Sequence, residues 1–400
     1  GMADNAGKAA EPRQRARAWT KREHKGRKKP LSRLWIVVIS TALLIVAGAL
    51  IAPSTVSVGA LQLMLPFFAI LAVASIGQHL VIQQRGLDLS VAGIMSFSAV
   101  IVSALPSTEA GIGTTLAFVA LALAMGVGIG AANGILVALL RVNSLVTTLG
   151  MNSLMLGITM WVTSGFSQQV PPSLNKFGIG KFFEVPLTIY VMLVLGAIAI
   201  FLLEKTTLGR RFIATSVNPD AAIAVGIPLD FYRVATYALA GFCYAAAGVL
   251  LAGFVASPTV FSGVPYLLAT VAAVVVGGNP IGGGVRGSVA ATIVGALFLT
   301  YLGQLVLAVG FETSAQNIVQ AVIIIASVGI VEVGRRIRFE WIRFKFWVTS
   351  PDVEFRIRTT FTRSMARLGL SKLLDNVSSD TRTRMHTAYL RLKRRLEITE

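Results

Sequence analysis

Few residues in this chain have side chains that do chemistry. The three histidines, His24, His79 and His386, are too far apart for metal-ligand spacing. His79 falls near the end of an apolar run, where packing or an interface explains it better than ligation. The one cysteine, Cys243, excludes an intrachain disulfide and reads as a core residue. Gly282-x-Gly284-x-x-Gly287 has the letters of a dinucleotide fingerprint, but that motif needs a soluble strand–turn–helix unit, and here it lies between apolar runs. No G-x-x-x-x-G-K-[ST] occurs, so the chain carries no P-loop of its own. No acid, base, nucleophile or metal set clusters, which disfavours an enzyme. Ionisable residues are expected to be nearly absent deep within the apolar runs, which argues against a proton relay.

Two other kinds of residue remain. Uncharged polar side chains punctuate the apolar runs: Gln78, Asn133, Thr147, Thr148, Asn152, Ser153, Gln304, Gln316, Asn317 and Gln320. Lipid offers them no hydrogen-bond partner, so they should face a bundle interior or a wet pathway. Each singly reads as interhelical glue, while the set suits a neutral polyhydroxylated solute. Gln78, Asn133, Thr147 and Asn152 are the candidate pathway residues. The second kind is the polar stretch "TSVNPDAAIAVGIP", residues 215–228. Asn218 is a preferred N-cap, Pro219 suits the first helical position and Asp220 sits at the positive helix end. Gly226 and Pro228 stop the helix, predicted over about 218–226. At about 1.5 Å per residue it cannot cross a bilayer, which takes about 20 residues.

The elements that must position these residues are apolar. Hydrophobic residues make up 54% of the 400 and charged residues 14%, the composition of a multi-span membrane protein. Hydropathy predicts an all-α, polytopic fold of about ten transmembrane helices, near 35–52, 60–82, 89–105, 115–140, 143–164, 187–204, 231–256, 265–277, 287–309 and 315–333. The short candidates 89–105 and 265–277 adjoin "QQRGLDLSVAG" and "GGNPIGGGVRG" and read as broken or re-entrant helices. Of the 36 lysines and arginines, all but Lys176 and Lys181 fall on one predicted side. The positive-inside rule therefore puts both termini, and the 218–226 helix, in the cytoplasm. This divides the chain into a basic leader (1–34), a transmembrane domain (35–333) and a basic tail (334–400). The net charge of +18 flanks spans and points to anionic lipid rather than nucleic acid. "RRIRFEWIRFKFW" reads as an interfacial belt, and the spacing of the last residues predicts an amphipathic helix for lipid or a partner. Gly126, Gly130 and Gly134, four residues apart, mark a close-packing helix face.

Four stretches occur in an order that resembles the membrane subunit of ribose/simple-sugar ABC importers: "RGLDLSVAG" (85–93), "ANGILVALLRVNSLVTTLGM" (132–151), "GRRFIATSVNPDAAIAVGI" (209–227) and "VAAVVVGGNPIGGGVRGSVAATIVGAL" (271–297). The resemblance spans about 35–333. It implies a permease of the cell inner membrane with no catalysis and no cofactor of its own. It further implies an ATP-binding subunit, an extracytoplasmic solute-binding protein and a second permease chain, identical or related. The short helix would then insert into a groove of the ATP-binding subunit through Asn218, Pro219, Asp220, Ala221, Ala222 and Gly226. Ala221, Ala222, Ile223 and Val225 offer the apolar surface such a groove needs. Two departures bear on the solute: Val142-Asn143-Ser144-Leu145 replaces a proline-containing stretch, and "GVPYLLAT" lacks an acidic residue usual in the family. The alternative reading is a secondary carrier or channel, which leaves the capped helix without a role.

Overall fold

The computed structural model describes residues 33–106, 109–284 and 287–312, together with 315, 316, 318, 319, 321, 322 and 325. Twelve α-helices follow one another among them: α1 (Arg33–Ile51), α2 (Val58–Gln83), α3 (Val91–Ala104), α4 (Ile112–Ala138), α5 (Ser144–Thr163), α6 (Pro172–Gly178), α7 (Leu187–Lys205), α8 (Thr207–Val217), α9 (Pro219–Ala224), α10 (Leu229–Val255), α11 (Tyr266–Val276) and α12 (Val289–Ala308). Seven of them are long and apolar enough to cross a membrane: α1, α2, α4, α5, α7, α10 and α12. The third and eighth predicted spans are α3 and α11, at 14 and 11 residues. Both stop short, as the glycine-rich flanks predicted. The predicted span 315–333 and the segments 1–32 and 334–400 lie outside the described residues, apart from the few positions named above.

The loops sort to two ends of the bundle. At one end Lys181 Nζ donates to Gln62 Oε1 at 2.7 Å, and Gln62 Nε2 donates to Glu184. There a two-residue-per-strand hairpin, β1 (Lys181–Phe182) with β2 (Val185–Pro186), follows α6 in the connection between the fifth and sixth predicted spans. At the other end the Arg141 guanidinium meets Asp230 at 3.2 Å, and Arg85 in the connection after α2 reaches Val217 O at the end of α8.

Helices α2, α3 and α10 form the centre. Nearly every side chain of α3, and of α2 beyond Phe68, is buried, whereas α1, α4, α5 and α7 keep much of their apolar surface outward. A helix that is apolar all round belongs in such a centre. The seam that brings α4 against α10 is the predicted glycine face. A Cβ at Gly126 would lie 2.6 Å from Gly241 O, and one at Gly134 would lie 2.7 Å from Val234 Cα. At Gly130 the carbonyl of Tyr237 occupies the place outright. Small residues let two backbones meet where no hydrophobic effect pulls helices together.

Gly128 is two residues along the same helix and has nothing within 4 Å of its missing Cβ. Gly130→Leu should therefore lower stability by about 1–3 kcal/mol or more through overpacking, while Gly128→Leu should stay within about 0.5 kcal/mol of the parent. Thermal unfolding of the purified protein in detergent checks this, and equal losses in both would remove the packing role.

Candidate coupling site and polar pathway

The end of α2 is where the fold gathers its polar contacts. A helix end leaves carbonyls without intrahelical partners, and away from water these must be met by protein. The last turn of α8 is met by α2. Gln84 Nε2 donates to Phe212 O and to Thr215 Oγ1, both at 3.0 Å. Arg85 Nη2 donates to Val217 O at 3.1 Å, which also sets a cation at the negative end of α8. In return Ser216 Oγ donates to Gln83 O. Arg85 reaches this position with φ of +64°, an uncommon conformation for a residue other than glycine.

Helix α8 went unrecognised in the sequence, though its signals are there. Thr206 caps it by accepting from Gly209 N at 3.1 Å. Phe212, Thr215 and Ser216 turn inward while Leu208, Arg210 and Arg211 face out. The predicted short helix follows directly as α9. Asn218 Oδ1 accepts from Ala221 N at 3.1 Å, Pro219 takes the first position, and Gly226 ends the turn with φ of +78°. The surface expected of it needs one correction. Ala222 is only 3% exposed, whereas Ile223 and Val225 are 55% and 74% exposed. One helical turn from the cap, position 222 comes round to the side that packs on α8 and α10, so it cannot offer itself to a groove. Ala221 and Asp220 remain on the surface.

The connection from α2 to α3, "RGLDLS", is not helical, yet Asp88 and Ser90 within it are fully buried. Its backbone is satisfied by the polar residues singled out above. Leu89 N donates to Thr148 Oγ1 at 2.9 Å, and Gly93 N to Asn152 Oδ1 at 2.7 Å. Asn133 Nδ2 donates to Ser90 Oγ at 3.0 Å. Asn133 and Asn152 are thus brought together around the break, with Thr147 beside Thr148. Thr147 Oγ1 and Asn133 Oδ1 have no protein partner. Gln78 stands apart, its Oε1 accepting from Tyr244 OH of α10 at 2.9 Å. The replacement residue Asn143 caps α5, accepting from Leu145 N at 2.9 Å.

Asp88 lies between the apolar runs rather than within one, and it is nevertheless buried in the bundle. It has no exposed surface; Oδ1 accepts from Ser90 N at 2.9 Å and from the Ser90 hydroxyl, and Oδ2 has no partner. The sequence placed it in a polar connection, and only the folding of that connection into the bundle buries it. An Asp two residues before a Ser that opens a helix is the local signal for this turn. Among the described residues no three His, Cys, Asp or Glu side chains group as metal ligands.

Membrane-crossing helices around a closed polar interior, with short capped helices at the basic end, define a multi-pass α-helical permease. The chain belongs to the family described as branched-chain amino acid transport system / permease component, whose profile matches residues 60–328. It is 31% identical over 296 residues to the ribose import permease protein of Escherichia coli strain K12, covering 73% of this chain and 91% of that one. It is 32% identical over 260 residues to the galactofuranose transporter permease protein of the same strain, covering 64% and 74%. The autoinducer 2 import system permease protein of Yersinia enterocolitica is 34% identical over 238 residues, covering 58% of this chain and 64% of that one. No solved structure matches.

Asp88→Asn keeps an oxygen to accept from Ser90 and puts an amide nitrogen in place of the unpartnered Oδ2, whereas Asp88→Leu leaves a buried N–H unpaired at a cost of about 1–3 kcal/mol. The leucine variant should therefore unfold at markedly lower temperature and the asparagine variant close to the parent. Equal stability of all three would show that the turn does not depend on this side chain.

Proposed function

We propose that this chain is the membrane-spanning subunit of an ATP-driven importer that moves a sugar or related polyol inward across the cell inner membrane. The observation that carries the reading is α9. It is a capped, outward-facing helix with two exposed apolar side chains, tied through α8 to the end of a central spanning helix. A docking element linked to the core is what a separate motor subunit requires. The named relatives are permeases for ribose, for galactofuranose and for autoinducer 2, which favours a polyhydroxylated solute.

In this reading ATP is hydrolysed by a separate ATP-binding subunit that receives α9. A solute-binding protein delivers the solute on the other side, and a second permease chain completes the transporter. Residues 1–34 form a basic cytoplasmic leader, 35–333 the transmembrane domain and 334–400 a basic cytoplasmic tail on lipid. Both termini are cytoplasmic. Asn218, Pro219, Asp220, Ala221 and Gly226 shape the coupling helix, Ala222 seats it, and Ile223 and Val225 contact the partner. Gln78, Asn133, Thr147 and Asn152 line the solute pathway once it opens, their hydrogen bonds to the chain giving way to the solute's hydroxyls.

Orientation is checked by thiol labelling in a Cys243→Ala background. Lys176→Cys should label from outside the cell and Arg211→Cys only from the cytoplasm; the reverse pattern overturns the topology.

Docking is checked by co-purification with the ATP-binding subunit. Ile223→Glu and Val225→Glu put a carboxylate into an apolar contact and should weaken binding tenfold or more, about 1.4 kcal/mol or above. Asn218→Ala removes only the N-cap, worth about 0.5–2 kcal/mol to the helix, and should act more mildly. Unchanged binding of both glutamate variants would remove α9 from the interface.

A further inference from the structure

His79 lies one turn before the end of α2 and is only 1% exposed. Its Nδ1 is 2.9 Å from Thr292 Oγ1 on α12. The same hydroxyl accepts from Asn279 Nδ2 at 3.0 Å. Asn279 in turn holds the glycine-rich loop between α11 and α12 at both ends: its Oδ1 accepts from Ser288 N at 2.9 Å, and its Nδ2 reaches Val274 O at 3.2 Å. Gly287 closes the arrangement, since a Cβ there would lie 2.7 Å from His79 Cε1 and 2.9 Å from Asn279 Oδ1. Polar side chains from α2, α12 and the loop therefore meet at one imidazole.

The other edge of the ring faces along α2. His79 Nε2 and Gln83 Oε1 are both buried without a hydrogen-bond partner, on residues four apart on one helix face. The carbonyl of Gln83 accepts from Ser216 Oγ of α8 and from Gly284 N of the loop, and Gln84 and Arg85 hold the end of α8. Polar contacts thus run from Asn279 through Thr292 to His79 on α2, and one turn further along the same helix the carbonyl of Gln83 and the side chains of Gln84 and Arg85 bond the helix that leads into α9.

A residue that merely fills space here needs none of these partners. Burying an imidazole, a hydroxyl and an amide together is costly unless each is bonded, and bonding them fixes their relative positions more than it adds net stability. We infer that His79 is a positioning residue that couples the α11–α12 loop to the α8–α9 helix pair, so that engagement of the ATP-binding subunit at α9 is felt at the loop. This rests on the importer reading above.

The test reads the loop while the partner binds at α9. Backbone hydrogen exchange is measured over 277–284 and 287–288 in the full chain, with and without the ATP-binding subunit. In the parent, docking should slow exchange in the loop about tenfold, a shift of about 1.4 kcal/mol. His79→Leu and Thr292→Val should each reduce that protection to about twofold or less while leaving partner affinity unchanged, and the double variant should be no worse than either single one. Thr292→Val keeps the volume and removes only the hydroxyl, so it carries the test if His79→Leu fails to fold. A parent loop that ignores docking, or a Thr292→Val protein that responds like the parent, overturns the coupling role. Failure of the subunit to bind the parent would instead sink the importer reading, and this inference with it.

Discussion

The end of α2 must find hydrogen-bond partners in a place where water is scarce, and that constraint organises the rest of the molecule. Where a helix stops inside a bundle, its last carbonyls and the next amides have to be bonded by protein. Here the demand is met from several directions at once. Thr148 and Asn152 satisfy the chain leaving toward α3, while Ser216 and Gly284 meet the carbonyl of Gln83. Gln84 and Arg85 then return the service to α8. Elements far apart in sequence are therefore joined through one break, and none can shift without exposing a group that another has paired.

Packing supplies the complementary half. Hydrophobic burial does little to hold helices together among lipid chains, so close backbone approach must do it. The seam of α4 with α10 is built from Gly126, Gly130, Gly134 and Gly241, and Gly248 brings α10 equally close to Met95 of α3. These contacts hold the centre of the bundle rigidly. The polar break at α2 lies where α3 begins, beside this dense region, so a displacement at its far side is passed on instead of being absorbed.

What the sequence made legible follows from which forces are local. The first nine spans, the breaks at glycine-rich stretches, the Asn218 cap and the glycine face all depend on composition or on spacing within one helix, and each is found where expected among the described residues. What escaped depends on tertiary placement. Helix α8 has an amphipathic pattern, but it sits amid charged residues and reads as a connection until α2 is seen to cap it. Asp88 stands among loop-like residues, and nothing in its neighbours announces that the loop folds inward. The inward turn of Ala222 is a matter of helix rotation, which alternating apolar and small residues leave undetermined. Of the polar residues of the runs, Gln78, Asn133, Thr147 and Thr148 are buried, Asn152, Gln304 and Gln316 partly so, and Ser153 is exposed, while Asn317 and Gln320 lie outside the described residues. That Asn133 and Asn152 bond the break in α2 became visible only with the backbone they serve.

The capping of α8 by α2 also has a consequence in time. The bonded residues are separated by 128 to 133 positions in the chain. At a synthesis rate of about 5–20 residues per second, roughly 7–27 seconds pass between the emergence of Gln84 and that of Val217. During that interval the partners that bond Gln84 and Arg85 in the folded protein do not yet exist, so the contacts between the end of α2 and α8 can close only after α3 to α7 have been made.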